Sequence, residues 1–363
     1  MERVVSKALS VLRASLSHPR TYYLAEPNMF DPSPLLQAAL GQLNCRGALC
    51  AISDHGHIGR FSAGSISAAE HDRPYYIYSI TKSYTAAAVL FLCEQEGDFL
   101  DEPFRKFIPV PKVPATATIR QLLNHTAGLP DYYSLREYHE ALQAHPDRPW
   151  SYAQLMGAGL KETPPFAPGQ GWSYSNPGYA LIKELIEKLS GLGYFSFLEK
   201  FIFRPHGLNQ TRGFEDPDFA KSLIEADAPE IAGDFRPQYA PVWILPGCLI
   251  STAEDVARFF DALFAGRIVS QDSLRKMTET VDLPFPMPAP TVASYGLGLM
   301  HTRNDPLGVA YGHGGGGPGY TTYARHYPQL AGRPFTLSLV LNKSLSETPF
   351  GLADEIVRSF LKN

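Results

Sequence analysis

Y-Y-I-Y-S-I-T-K-S-Y-T-A-A-A-V-L-F-L-C-E-Q-E-G, residues 75–97, begins as a strand and continues as a helix. Its aromatic and β-branched start ends at Ser79. Ala86 to Cys93 follows as the longest uninterrupted apolar segment of the chain, and it stops at polar residues and Gly97. With no Gly or Pro inside, the run predicts a helix apolar on every side, hence a buried central one. Ser79 falls at the mouth of that helix, and Lys82, three residues on, shares its face. A hydroxyl and an amine so placed form a nucleophile with a base beside it. The unpaired N–H groups of the same turn can meet a developing oxyanion.

Ser-x-x-Lys is a cheap pattern and recurs at Ser273/Lys276 and Ser359/Lys362. Ser273 opens a polar stretch that reads as a solvated helix start, and Ser359 sits in the last turns of an amphipathic helix. Only Lys82 precedes a segment that excludes water.

The 363 residues allow one large domain or two smaller ones, with an ordinary soluble composition of 44% hydrophobic and 19% charged residues. A net charge of −4 gives no electrostatic reason to expect nucleic acid or an anionic membrane surface. The N-terminal M-E-R-V-V-S-K-A-L-S-V-L-R-A-S-L reads as an amphipathic helix rather than a secretory signal, and Ala86–Cys93 is too short to span a bilayer. Cys45, Cys50, Cys93 and Cys248 have no metal-ligand or C-x-x-C spacing. Free thiols, a cytoplasmic location, and neither metal nor cofactor are therefore expected.

Cys45–Ile52 and Ile58–Ala63 flank a D-H-G-H turn and predict a hairpin. The middle of the chain is helical, with helices expected from Thr118 towards Gly128, over Ser151–Lys161, and over Asn176–Ser190 with Asn176 as N-cap and Gly191 as C-cap. A strand is expected over Val242–Ser251, then a helix to Gly266 opened by a capping-box-like Thr252/Asp255 pair. Leu283–Pro290 reads as extended and exposed, Tyr320–Tyr327 and Phe335–Asn342 as paired strands, and Thr348–Leu361 as a closing helix. The expected fold is α/β (α+β): an antiparallel sheet flanked by N- and C-terminal helices, with a mostly helical domain inserted. Residues 1–95 and 240–363 would form the sheet domain, 96–239 the insertion, and the active site would lie between them.

Two further stretches carry chemistry. Trp172-Ser-Tyr-Ser-Asn-Pro-Gly puts the Tyr174 phenol and the Asn176 amide on a loop entering a helix. Tyr311-Gly-His-Gly-Gly-Gly-Gly-Pro-Gly-Tyr320 formally contains G-x-G-x-x-G, but Pro318-Gly319 and a strand stand where a phosphate loop needs a helix. Beside a sheet edge, these glycines would let a substrate approach the backbone.

Together the three stretches resemble the serine β-lactamase and penicillin-binding-protein superfamily, nearest its class C β-lactamase, esterase and D-aminopeptidase branch. The motifs stand as Ser79-Ile-Thr-Lys82, Tyr174-Ser-Asn176 and His313-Gly-Gly315, in the family's order, with T-I-R-Q-L-L-N-H-T-A-G-L-P-D-Y before the second. The resemblance implies that Ser79 is acylated, that Lys82 takes or shares its proton, and that Tyr174 passes protons to the leaving group and later activates water. It implies that Asn176 holds Lys82 and the substrate's acyl side. The Ser79 N–H and that of Gly316 would form the oxyanion hole, although the four-glycine run leaves the second donor open by one position.

His313 departs from the Lys that penicillin-recognising members carry at the head of the third motif, which weakens the case for a carboxylate-bearing substrate. The expected activity is therefore hydrolysis of an ester, or an amide of a small or D-configured acid, with a small molecule or short peptide as substrate. Acyl transfer, true β-lactamase or D-Ala-D-Ala peptidase activity, and a non-catalytic ligand-binding role remain the alternatives. Some of Tyr132, Tyr133, Trp150, Trp172, Phe285 and Tyr320 are expected to line an apolar pocket.

Overall fold

The computed structural model describes residues 29–161, 163–214, 217–245, 247–346 and 349–363. The expected N-terminal amphipathic helix lies outside them. Among the described residues eleven strands follow in chain order: β1 (Gly47–Asp54), β2 (His57–Gly64), β3 (Tyr75–Tyr76), β4 (Arg212–Gly213), β5 (Leu249–Ser251), β6 (Val281–Asp282), β7 (Val292–Tyr295), β8 (Met300–Arg303), β9 (Tyr311–Gly317), β10 (Tyr320–Leu330) and β11 (Arg333–Leu341). Eight form an antiparallel sheet in the order β2-β1-β11-β10-β9-β8-β7-β6. The expected hairpin is β1–β2, turning through His55-Gly56 with φ of 53° and 87°, the left-handed pair of a type I′ turn. β3, β5 and β4 make a small second sheet. The mixed α/β architecture around a large antiparallel sheet agrees with expectation.

Thr81–Glu96 is the predicted central helix, and 14 of its 16 residues are buried. No polar face remains, so it must lie inside the core, where side chains such as Leu90 and Leu92 each contribute about 1.5–3 kcal/mol of burial. Helices Ser33–Gln42 and Phe350–Phe360 pack on the far face of the sheet over a second apolar cluster that includes Leu36, Leu337 and Ile356.

Several local expectations change. Val242–Ser251 is a strand only from Leu249, because Pro241 starts a 3₁₀ turn and Gly247 adopts φ 115°. The helix expected from Thr118 opens on a Thr118/Gln121 capping box but spans only Ile119–Leu123. Thr252 caps Ala253–Phe264 as expected, yet the Asp255 carboxylate accepts from Gln210 N (2.7 Å) and Thr211 Oγ1 (3.0 Å) instead of closing a box.

Candidate active site

The Ser79 turn is the pivot. Tyr78–Ile80 forms a 3₁₀ turn that runs directly into the central helix. Tyr78 takes φ 47°, a left-handed conformation unusual for a bulky residue. Three contacts hold it there: its N–H donates to Cys248 Sγ (3.2 Å), its hydroxyl donates to Pro318 O, and its ring packs on Tyr76. Ser79 N–H thus lies in an opening turn, where a helix supplies no acceptor.

The geometry brings the first two motifs together. Tyr174 OH donates to Ser79 Oγ at 2.9 Å, and Lys82 Nζ donates to the same oxygen at 3.4 Å. Lys82 also donates to Asn176 Oδ1 at 2.8 Å. Its Nζ stands 4.7 Å from the Tyr174 ring centroid.

Asn176 owes its orientation to a one-residue correction. Ser175, not Asn176, caps Asn176–Ser190: its Oγ accepts from Gly178 N at 3.2 Å. Freed from capping, the Asn176 amide spans the site. Its Oδ1 accepts from Lys82 while its Nδ2 donates to Asp131 Oδ2 at 3.1 Å. Asp131 lies in the stretch before the second motif, 45 residues from Asn176, and only the fold shows that it backs that amide.

Electrostatics follow from enclosure. Burial lowers Lys82 to about 7, against the partial opposition of the Asp131 carboxylate. Burial likewise raises Asp131, an effect offset in part by Lys82 and by N–H donors from Asn176 and Tyr133. Burial holds the Tyr174 phenol above its ordinary value, so it is protonated at rest.

His313 lies in β9, fully buried, with Nδ1 2.5 Å from Gly314 O and Nε2 2.8 Å from Tyr295 OH. Nδ1 must therefore carry the hydrogen and Nε2 accept from the phenol. Burial pushes this ring down to about 3, so it stays neutral. It sits near Tyr174, with ring centroids 6.5 Å apart.

β9 is an interior strand rather than a sheet edge, but β8 pairs with it only at Tyr311 and Gly312. Beyond Gly312, that side has no strand neighbour among the described residues. Pro318-Gly319 turns Gly317 back onto Tyr320. The alternation of an antiparallel pair then directs the N–H groups of Gly314 and Gly316 to the unpaired side. A Cβ at Gly315 would meet Ile77 O at 2.4 Å, and one at Gly317 would meet the Tyr78 ring at 2.4 Å. These glycines thus let the turn that carries Ser79 approach β9, a different use from the expected approach of substrate. At Gly316 a Cβ would meet nothing within 4 Å.

Ser79, Tyr174, Asn176 and Gly314–Gly317 line a cavity of about 450 Å³. Its ionisable walls include Asp131 and Glu230, with no Lys or Arg among the described lining residues. Of the six aromatics expected around a pocket, Tyr133 lines it. Tyr132 and Tyr320 are core residues, Trp150 packs on Trp243, and Phe285 packs on Trp172 behind Tyr174. Among the described residues, no cluster of His, Cys, Asp and Glu could hold a metal ion.

Known proteins share this architecture. A D-stereospecific amidohydrolase from Streptomyces sp. superposes with a TM-score of 0.77 at 27% identity, covering 88% of this chain and 96% of that one. D-amino acid amidase from Ochrobactrum anthropi SV3 gives 0.75 at 25% identity, covering 91% and 99%. In sequence, penicillin-binding protein 4* of Bacillus subtilis is 28% identical over 70% of this chain and 58% of its own length. A D-aminopeptidase of Cereibacter sphaeroides is 26% identical over 69% and 47%. The chain thus spans about half the length of these curated relatives. The Beta-lactamase family model matches residues 33–362, a span that contains all three motifs, and the chain belongs to that family.

Proposed function

We propose that this chain is a serine hydrolase that forms an acyl-enzyme on Ser79 and cleaves amides or esters of small, amine-bearing, D-configured acids. The observation that carries the reading is the single oxygen, Ser79 Oγ, held between a phenol at 2.9 Å and a buried amine at 3.4 Å.

Acylation runs from these contacts. Lys82, neutral in part near pH 7, accepts the Ser79 proton as Oγ bonds to the substrate carbonyl carbon. The negative charge on the carbonyl oxygen meets the N–H groups of Ser79 and Gly316. Tyr174 delivers its phenolic proton to the departing nitrogen or oxygen and regains one from Lys82. Water then attacks the ester, Tyr174 or Lys82 takes its proton, and Ser79 leaves with a proton restored. Asn176 keeps Lys82 aimed throughout, with Asp131 behind it.

Two observations favour an amine over a carboxylate on the substrate. The described cavity walls hold the carboxylates of Asp131 and Glu230 and the imidazole of His139 but no Lys or Arg, and His313 is neutral. The names of the D-aminopeptidase and D-amino acid amidase relatives support D-configuration. Residues 96–239 are read as an inserted helical unit bringing Asp131, Tyr174 and Asn176 to one side of the cleft. Cytoplasmic residence fits the four free, buried cysteines, and no described helix is long and apolar enough to cross a membrane.

The test is a panel of D- and L-aminoacyl amides, short p-nitrophenyl esters and nitrocefin, with Ser79→Ala as control. Turnover of D-amides and esters well above nitrocefin is expected, with loss of all activity in Ser79→Ala. Nitrocefin as the best substrate would overturn the substrate class, and the absence of a fluorophosphonate adduct on Ser79 would overturn the mechanism.

A further inference from the structure

His125 lies outside the three motifs, yet its contacts converge on Tyr174. Its backbone carbonyl accepts from Ser173 N at 3.0 Å. Its ring Nδ1 accepts from Ser175 N at 3.1 Å. Between these two clamped residues, the imidazole packs against the Tyr174 ring with centroids 4.3 Å apart. One residue thus grips the chain before and after the phenol and backs its ring.

Only an unusual backbone allows this. His125 takes φ 64°, which turns its carbonyl and its ring towards the same loop. Because Nδ1 accepts from Ser175, the ring hydrogen resides on Nε2. That Nε2 is buried, and no acceptor reaches it among the described residues. A buried donor without an acceptor and a strained φ both weaken a fold, and both gather at one residue beside the proposed proton donor. Burial, Lys82 and His313 all hold this imidazole well below its ordinary value, so the ring is neutral and Nδ1 stays free to accept.

We propose that His125 is a positioning residue that fixes the Tyr174 phenol over Ser79, so that proton delivery to a poor leaving group depends on it. The inference rests on the hydrolase reading above and adds a residue that none of the three motifs contains.

Leaving groups separate this role from simple structural support. An amide nitrogen must receive a proton before it departs, whereas p-nitrophenolate and fluoride need none. In the test, kcat/KM is measured for a D-aminoacyl amide and a p-nitrophenyl ester, per active site titrated with a fluorophosphonate. The variants are His125→Asn, which suits a positive φ and keeps an acceptor, and His125→Gly, which fits the backbone but removes ring and acceptor. The amide-to-ester ratio should fall roughly tenfold or more in His125→Gly and by less in His125→Asn. A ratio within about twofold of wild type in every folded variant overturns the role of His125. If His125→Gly does not fold, the His125→Asn ratio decides. Lack of label on Ser79 in the wild-type protein overturns the hydrolase reading itself, which keeps the two failures distinct.

Discussion

Replacing Lys82 with Met should abolish activity and stabilise the fold at neutral pH. Lys82 is 1% exposed, and its burial takes the amine from an ordinary 10.5 to about 7. At 1.36 kcal/mol per pH unit, that drop corresponds to roughly 5 kcal/mol of cost carried by the folded state. Met has similar length and no charge, but it strands Asn176 Oδ1, which costs about 1–3 kcal/mol. The net gain below pH 7 is therefore at most about 2–4 kcal/mol, because the variant also strips the buried Asp131 carboxylate of the amine that offsets its burial, a loss that fades as Asp131 protonates.

The pH dependence is the sharper readout. Below about pH 7 both states of the wild type bind the Lys82 proton, and the folded state bears the full cost. Between about 7 and 10.5 only the unfolded state keeps it, so wild-type stability climbs and the advantage of Lys82→Met shrinks by about 1.4 kcal/mol per pH unit. Buried tyrosines and cysteines are common to both proteins and largely cancel in the difference. Urea unfolding of both proteins from about pH 6 to 9.5 measures it. A difference that stays flat across that window would refute the depressed amine, and with it Lys82 as base.

The remaining predictions use the same geometry. The acidic limb of kcat/KM should fall about tenfold per pH unit below roughly pH 7 as Lys82 protonates. Asp131→Asn should move that limb to lower pH, since its carboxylate holds Lys82 up, and a pH–rate profile with an unmoved limb would contradict the link. Gly315→Ala should destabilise by about 1–3 kcal/mol because its Cβ meets Ile77 O at 2.4 Å, whereas Gly316→Ala should melt near wild type. Thermal melts of the two variants check this. Ser175→Ala should cost about 1 kcal/mol of unfolding free energy by denaturant titration, and acylation should slow as Asn176 loses its fixed start.

What the sequence made legible was local. Ser79 and Lys82 are one helical turn apart, and the apolar run beyond them has no solvent face, so both their pairing and the central helix were readable directly. Tyr174 and Asn176 were readable as a motif, but the cap between them was misplaced, because Asn and Ser are both good caps and only packing chooses. The contacts of Asp131 and His125 were invisible because their partners are 45 and 50 residues away along the chain. The glycines of β9 were recognised as a place of close approach, but which backbone approaches is a tertiary fact. Composition likewise could not tell Tyr133, on the cavity wall, from Tyr132, in the core.

The hand-over between Ser175 and Asn176 also limits what length changes the chain can absorb. Helix residues advance by about 100° each, so one residue inserted or deleted in the first turn just after Asn176 would swing the amide by about that angle away from the amine. Elsewhere a surface loop tolerates such a change cheaply. Here the spacing between the cap and the packed body of the helix acts as a mechanical index, and variants that alter it should fold yet lose turnover together with their grip on Lys82.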